Sequence, residues 1–283
     1  MIKKVRRLSE FIDRVGAIRE TWNMSSGREL WFRGEDKTYE ETALRPKLFR
    51  PDKQGVLKPV SELLKMEIRL YREFKDYGLT LCTETIQREN WYWDWYFLMQ
   101  HHGAPTRLLD WSDGLDRIAF CNSTQEKDNT IDAVVYVTDP DRLKTKLERL
   151  PGYNDTKRKW RSYIKEYPEF RKDDWETSYL PPEDDDDLKK LPVPKLPCVL
   201  QTPHITRRVA DQRSRFVLFG SDPTWLYKEF EKSDSLIQRI IIPGPAIHKI
   251  KNELRGSGIT ESVIFPDLDG LGREMEQLWQ GRK

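Results

Sequence analysis

Three cysteines in 283 residues, Cys82, Cys121 and Cys198, are too few and too scattered for a disulfide framework, and no Cys-x-x-Cys pair starts a zinc cluster. Only four histidines occur and none has the spacing of paired metal ligands, so no metal is expected. No apolar run approaches the roughly 20 residues of a membrane span, and no membrane association is expected. The basic start MIKKVRRLSEF lacks an apolar signal core and a small-residue cleavage site. With unpaired cysteines, this points to the cytoplasm. Neither charge sign dominates: Lys+Arg 49 against Asp+Glu 47 leaves +2, which excludes nucleic-acid binding driven by bulk charge but leaves a local basic patch open. The phosphate loops Gly-x-Gly-x-x-Gly and Gly-x-x-x-x-Gly-Lys and the hydrolase elbow Gly-x-Ser-x-Gly are absent as well.

What is present is a highly charged chain, 34% Asp, Glu, Lys and Arg, with 11% aromatics, enough to build a sizeable core. Ser9 is placed to cap a helix carrying Phe11, Ile12, Val15 and Ile18 at helical spacing. Leu30 to Gly34 reads as a strand, and Leu44 to Arg50 as an ordered loop. Ser61 opens a second helix through Leu64, Met66, Leu70 and Phe74 that Gly78 would end. Asn90 would cap a third, with Trp91, Trp95, Leu98, Met99 and His102 on neighbouring turns and an exit at Gly103 and Pro105. Asp113 would cap a fourth through Leu115, Ile118, Ala119 and Phe120, followed by a strand from Asp132 to Thr138. Residues 142–197 read as an exposed charged helical insertion running into the acidic stretch Glu183 to Asp187 and a mobile linker, LPVPKLP. Strands at Arg215 to Phe219, Leu236 to Ile242 and Ser262 to Phe265, with helices at Pro245 to Leu254 and Leu271 to Trp279, complete one α+β domain over 1–283. Its sheet would be mixed and mainly antiparallel, flanked by helices.

The densest chemistry is Gln100-His101-His102-Gly103-Ala104-Pro105-Thr106-Arg107-Leu108-Leu109-Asp110-Trp111-Ser112, a polar turn directly after the tryptophan-rich helix. The adjacent histidines diverge by about 100° on a helix, so one at most faces a pocket. His102, on the face of Trp95 and Met99, reads either as a general base or ligand contact or as a capping histidine. Arg107 and Asp110 are spaced to hold the turn as an ion pair. Trp111 is either a stacking surface for a nicotinamide or adenine ring or a core plug. Arg33 is either a fork for phosphate or carboxylate, with Gly34 giving backbone access, or a structural arginine. Gln212 and, alternatively, Glu261 are late polar residues able to orient a substrate. Asp267 and Asp269 would shape the turn that caps the last helix.

Trp31-Phe32-Arg33-Gly34, and Met99-Gln100-His101-His102-Gly103 running into Pro105 to Ser112, resemble the two signature motifs of the FRG domain family. Leu44, Pro46, Leu48-Phe49-Arg50, Ala119-Phe120, Arg208, Gln212, Phe216 and Phe265 to Leu271 extend the similarity, which breaks at Asp113-Gly114 and Ser214. In order and residue type, Arg33-Gly34, Thr106 to Ser112 before Ala119-Phe120, and Gln212 before Phe216 also resemble ADP-ribosyltransferases. That second resemblance implies an NAD-using toxin or defence effector, with Arg33 on the cofactor phosphate, Thr106, Arg107, Asp110, Trp111 and Ser112 lining the nicotinamide ribose, and Gln212 or Glu261 assisting bond cleavage. Two other functions stand beside it. One is a noncatalytic ligand- or protein-recognition module presenting the insertion. The other is nucleic-acid binding, if Lys47, Arg50, Arg207, Arg208 and Arg213 share a face.

Overall fold

Six strands, written β1 to β6, form one sheet in the computed structural model: Trp31–Glu35, Leu108–Ser112, Ala133–Thr138, Cys198–Leu200, Ser214–Leu218 and Ile237–Ile242. Their spatial order is β4-β5-β2-β1-β3-β6, and every pairing is antiparallel. The structure describes residues 4–39, 42–81, 91–114, 130–168, 174–182, 187–200, 214–264 and 268–279. Asn90, the helix expected after Asp113, Arg207, Arg208, Gln212, Arg213 and Phe265 to Asp267 lie outside them.

The period-two alternation of strand side chains builds a core on each face of the sheet. Trp31, Leu109, Trp111, Val134, Tyr136 and Val217 turn to one side. The other side divides in two. Phe32, Val135, Val137 and Ile240 meet Phe11 and Ile18 of α1 (Leu8–Thr21) and Ile250 of α8 (Gly244–Gly256). Leu108, Phe216 and Leu218 meet Trp95 to Met99 of α3 (Trp91–His101) and Tyr71 of α2 (Val60–Leu81). Because β3 is covered on both faces, all six of its residues are buried, which explains its unbroken apolar sequence. Each fully buried aliphatic side chain contributes about 1.5–3 kcal/mol of apolar transfer.

Several local expectations change. Arg7, not Ser9, stands at the N-cap of α1. Gly78 does not end α2, which runs on to Leu81; it lies against Trp95, where a Cβ would come 2.5 Å from the ring. Residues 108–112 are a strand within the sheet rather than part of a turn. The expected strand Ser262 to Phe265 is instead the helical turn α9 (Glu261–Ile264), because Glu274 of α10 (Leu268–Trp279) accepts from Ser262 N at 2.9 Å and draws that turn onto the last helix. Asp269 therefore lies inside α10, not at its cap.

The insertion is also not an exposed decoration. Asp139 caps α4 (Pro140–Glu148) through Oδ1, accepting from Asp141 N and Arg142 N. Leu143 and Leu147 of α4 and Tyr153 of α5 (Pro151–Glu166) are buried in the same core as Trp111. The proline-rich stretch is fastened rather than mobile: Ser221 N donates to Pro194 O at 2.8 Å, and a Cβ on Gly220 would lie 2.1 Å from that oxygen. The stretch ends in the edge strand β4, paired with β5. Before it comes α6 (Asp187–Lys190), and after β5 comes α7 (Trp225–Phe230), whose Leu226 is buried in the core. No helix among the described residues is long and apolar enough to cross a membrane.

Candidate functional site

β1 and β2 share one register pair, Phe32 with Ser112, and no further one. Where they part, the carbonyl of Asp110 has no backbone partner across the gap, and Arg33 Nη1 donates to it at 2.9 Å. Arg33 Nε lies 3.2 Å from Glu35 Oε1, which leaves Nη2 of its fork without a hydrogen bond among the described residues. Arg50 approaches from the other side, with Nε donating to Arg45 O at 3.0 Å and Nη2 3.9 Å from the same Glu35 oxygen. Glu35 is almost fully buried, and its Oε2 has no hydrogen-bond partner. Arg50 is pushed below the usual arginine value, first by burial and then by the positive charge of Arg33. Two guanidinium groups thus share one carboxylate and still repel each other.

Both line a cavity of about 690 Å³. Its walls come from five pieces of chain: Arg33 of β1, the loop from Pro46 to Lys58, the first turns of α2 with Leu63 and Met66, the C-terminus of α3 with the turn after it, and the start of β2. Lys47, Lys53 and Lys58 join the two arginines, against two carboxylates, Asp52 and Asp110. Asp52 serves its own loop, since Oδ1 accepts from Gln54 N at 3.0 Å and Val56 N at 2.9 Å. Asp110 is held by Gln100, whose Nε2 donates to Oδ2 at 2.7 Å while its Oε1 accepts from the Thr106 hydroxyl.

The α3 terminus is folded for this purpose. Gly103 has φ +74, Gly103 N donates to Gln100 O and Ala104 N to Met99 O, both at 3.0 Å, the double bond of a Schellman end. The chain leaves the helix sharply, so Gln100 in the last turn and Asp110 ten residues later meet side by side. Lys47 Nζ donates to the Gly103 carbonyl and ties the far wall to the same turn.

Arg107 is not paired with Asp110. Fully buried, it donates from Nε to Glu67 Oε2 at 2.6 Å, from Nη1 to Phe219 O at 3.0 Å and from Nη2 to Tyr179 O. Glu67 Oε1 also accepts from Tyr96 Oη at 2.5 Å and Arg107 N at 3.0 Å. Burial pushes Arg107 down, but Glu67, Tyr96 and Tyr179 together more than offset this and the net shift is upward. Tyr96 is driven well above the usual tyrosine value by burial and then by Glu67. This network joins α2, α3, β2 and the insertion beneath the cavity wall.

Among the other expected residues, Thr106 is fully buried and does not line the cavity; it holds three residues that do, with its hydroxyl donating to Gln100 Oε1 and accepting from Leu108 N at 3.1 Å, and its carbonyl accepting from Leu48 N at 3.2 Å. Gly34 sits within β1 opposite Val135. Ser112 is buried at the β1–β2 pair, its hydroxyl accepting from Gly114 N at 3.2 Å. Trp111 is enclosed in the core. His102 is exposed and lines a separate apolar hollow with Phe74, Trp95 and Met99. Glu261 faces Arg273 at 3.5 Å. Arg33 and Asp110 therefore meet in one cavity, while His102 and Glu261 stand outside it. Lys53 and Lys58 carry no expectation from the sequence; Gln100 stands there only as the start of the polar segment, Lys47 only in the ordered loop and a basic face, and Arg50 there and in the family resemblance. The alternation of Pro, Lys and Arg from Pro46 to Lys58 was the available signal.

No group of three or more His, Cys, Asp or Glu side chains among the described residues is placed to hold a metal ion. The Cys198 thiol, buried in β4, is pushed up to about 12 chiefly by burial and is unreactive at neutral pH. No curated protein and no solved structure matches the chain. The family model of the FRG domain matches residues 28–129, a span that holds β1, the cationic loop, α2, α3 and β2, and so every wall of the cavity. What this chain shares with known proteins is an FRG domain over residues 28–129.

Proposed function

We propose that the cavity binds a phosphorylated ligand of nucleotide size, with NAD the first compound to test. The observation that carries this reading is the convergence of Arg33 and Arg50 on one cavity. Each keeps donor capacity, and the two repel each other until an anion lies between them. The volume, about 690 Å³, lies within the range of small-molecule sites. Leu48, Leu63 and Met66 add an apolar surface on which a base can rest.

Binding is the part of the reading with support. ADP-ribosyl transfer, the chemistry of a toxin or defence effector, needs a further group to orient the attacking nucleophile. Glu261 and His102 lie away from the cavity, and Gln212 is outside the described residues. Calorimetric titration with NAD tests the proposal: saturable binding is expected and should weaken about tenfold or more in Arg33→Ala with an unchanged circular dichroism spectrum. No heat of binding at millimolar NAD would overturn it.

A further inference from the structure

Five cations and two carboxylates line the cavity, and of the two carboxylates Asp52 is taken up by its own loop, which leaves Asp110 to explain. It is not there to neutralise Arg33, which takes its carbonyl rather than its carboxylate. Its carboxylate is instead set from the side by Gln100, whose own orientation the buried Thr106 hydroxyl determines. That relay uses Oδ2. Oδ1 has no hydrogen bond among the described residues, and half-buried Asp110 lines the cavity, where its charge also acts on Arg50. A carboxylate oxygen held in this way is an acceptor waiting for a donor.

The surroundings decide which donor. A ligand cation is disfavoured by Arg33, Lys47, Arg50, Lys53 and Lys58, and a second anion placed against Asp110 is repelled by the carboxylate itself. A neutral donor remains, and it must belong to a molecule whose anionic part the five cations attract. A sugar hydroxyl attached to a phosphate meets both demands. Resting on the phosphorylated-ligand reading above, we propose that Asp110 recognises a hydroxyl of a phosphorylated ribose and that the Thr106–Gln100 relay is its positioning device.

The test compares three probes on the full chain: AMP, its 2′,3′-dideoxy analogue and inorganic pyrophosphate. AMP is expected to bind about tenfold or more tightly than the dideoxy analogue, the fold-change of one hydrogen bond to a charged acceptor. In Asp110→Ala that ratio should fall to within about twofold, while pyrophosphate binds more tightly because a repelling charge has gone. Asp110→Asn, which preserves shape, should retain an intermediate ratio and serves if the alanine variant misfolds. Equal binding of AMP and its dideoxy analogue to the wild type, with pyrophosphate still bound, would overturn the hydroxyl assignment alone. So would a ratio that both variants leave intact. Failure of all three probes to bind would overturn the phosphorylated-ligand reading and this inference with it.

Discussion

Arg33 lies in β1 and Arg107 immediately before the neighbouring strand β2, and they have opposite surroundings. Arg107 is wholly enclosed, with Nε, Nη1 and Nη2 all engaged by Glu67, Phe219 O and Tyr179 O. Arg33 is tethered by two of its nitrogens and opens onto a cavity with the third. The first arrangement fixes the positions of four pieces of chain; the second leaves part of the guanidinium charge facing the cavity. An arginine in a family motif can therefore be a fastener or a contact, and only its hydrogen-bond inventory separates the two.

Replacing each arginine should divide these roles. Arg107→Ala leaves Glu67 buried without its counter-ion, and a loss of about 3–5 kcal/mol in urea denaturation is expected. Arg33→Ala takes the nearer cation from the buried Glu35 but leaves Arg50 beside it, so a smaller loss of stability, about 1–2 kcal/mol, is expected, while ligand binding should weaken by about 1.5–3 kcal/mol, the value of a hydrogen bond to a charged group. Equal losses of stability in the two variants would erase the distinction.

The sequence made the periodic parts of this molecule readable and the reciprocal parts unreadable. The strand at Ala133–Thr138 and helices α1 to α3 follow from apolar spacing alone, and the exit at Gly103 follows from a residue that tolerates φ +74. Glu67 carried a signal that was missed: it sits on the apolar stripe of α2 between Leu63 and Leu70, where an unpaired charge would be costly. Its partner, 40 residues away, cannot be read from local pattern, so Arg107 was matched to Asp110, the nearest carboxylate in sequence. The insertion misled for a related reason. Dense charge between Arg142 and Pro197 masked the isolated apolar residues, Leu143, Leu147, Tyr153 and Tyr179, that complete the core. In Ser262 to Phe265 the run was too short to separate strand from helix, and Glu274 of the next helix decided it.

The enclosed network also has a pH signature. Tyr96 is neutral in the folded state well above the ordinary tyrosine value of 10.0, through burial and Glu67, whereas in the unfolded chain it ionises near that value. Below pH 10 both states hold the proton and stability is unaffected. Above it the unfolded state loses the proton first, so Tyr96 lowers stability by about 1.4 kcal/mol per pH unit. Denaturation from pH 9.5 to 11.5 should show a slope that Tyr96→Phe reduces by that amount. An unchanged slope would place Tyr96 outside the network.

Two milder substitutions sharpen the boundary of the cavity. Trp111→Phe trims a core side chain and should cost about 1–2 kcal/mol of stability with no change in ligand affinity; weakened binding would bring the indole into the site. Glu261→Gln removes a partly exposed ion pair with Arg273, and less than about 0.5 kcal/mol is expected in stability, again with no change in binding.

The contrast between the two arginines is tested most directly by their side-chain Nε–H signals in ¹H–¹⁵N spectra recorded during an NAD titration. The Arg33 and Arg50 resonances should move to saturation, while that of Arg107, locked to Glu67, stays in place. A spectrum in which Arg33 and Arg50 do not move, or in which Arg107 moves with them, would contradict the separation of a binding site from a fastening one.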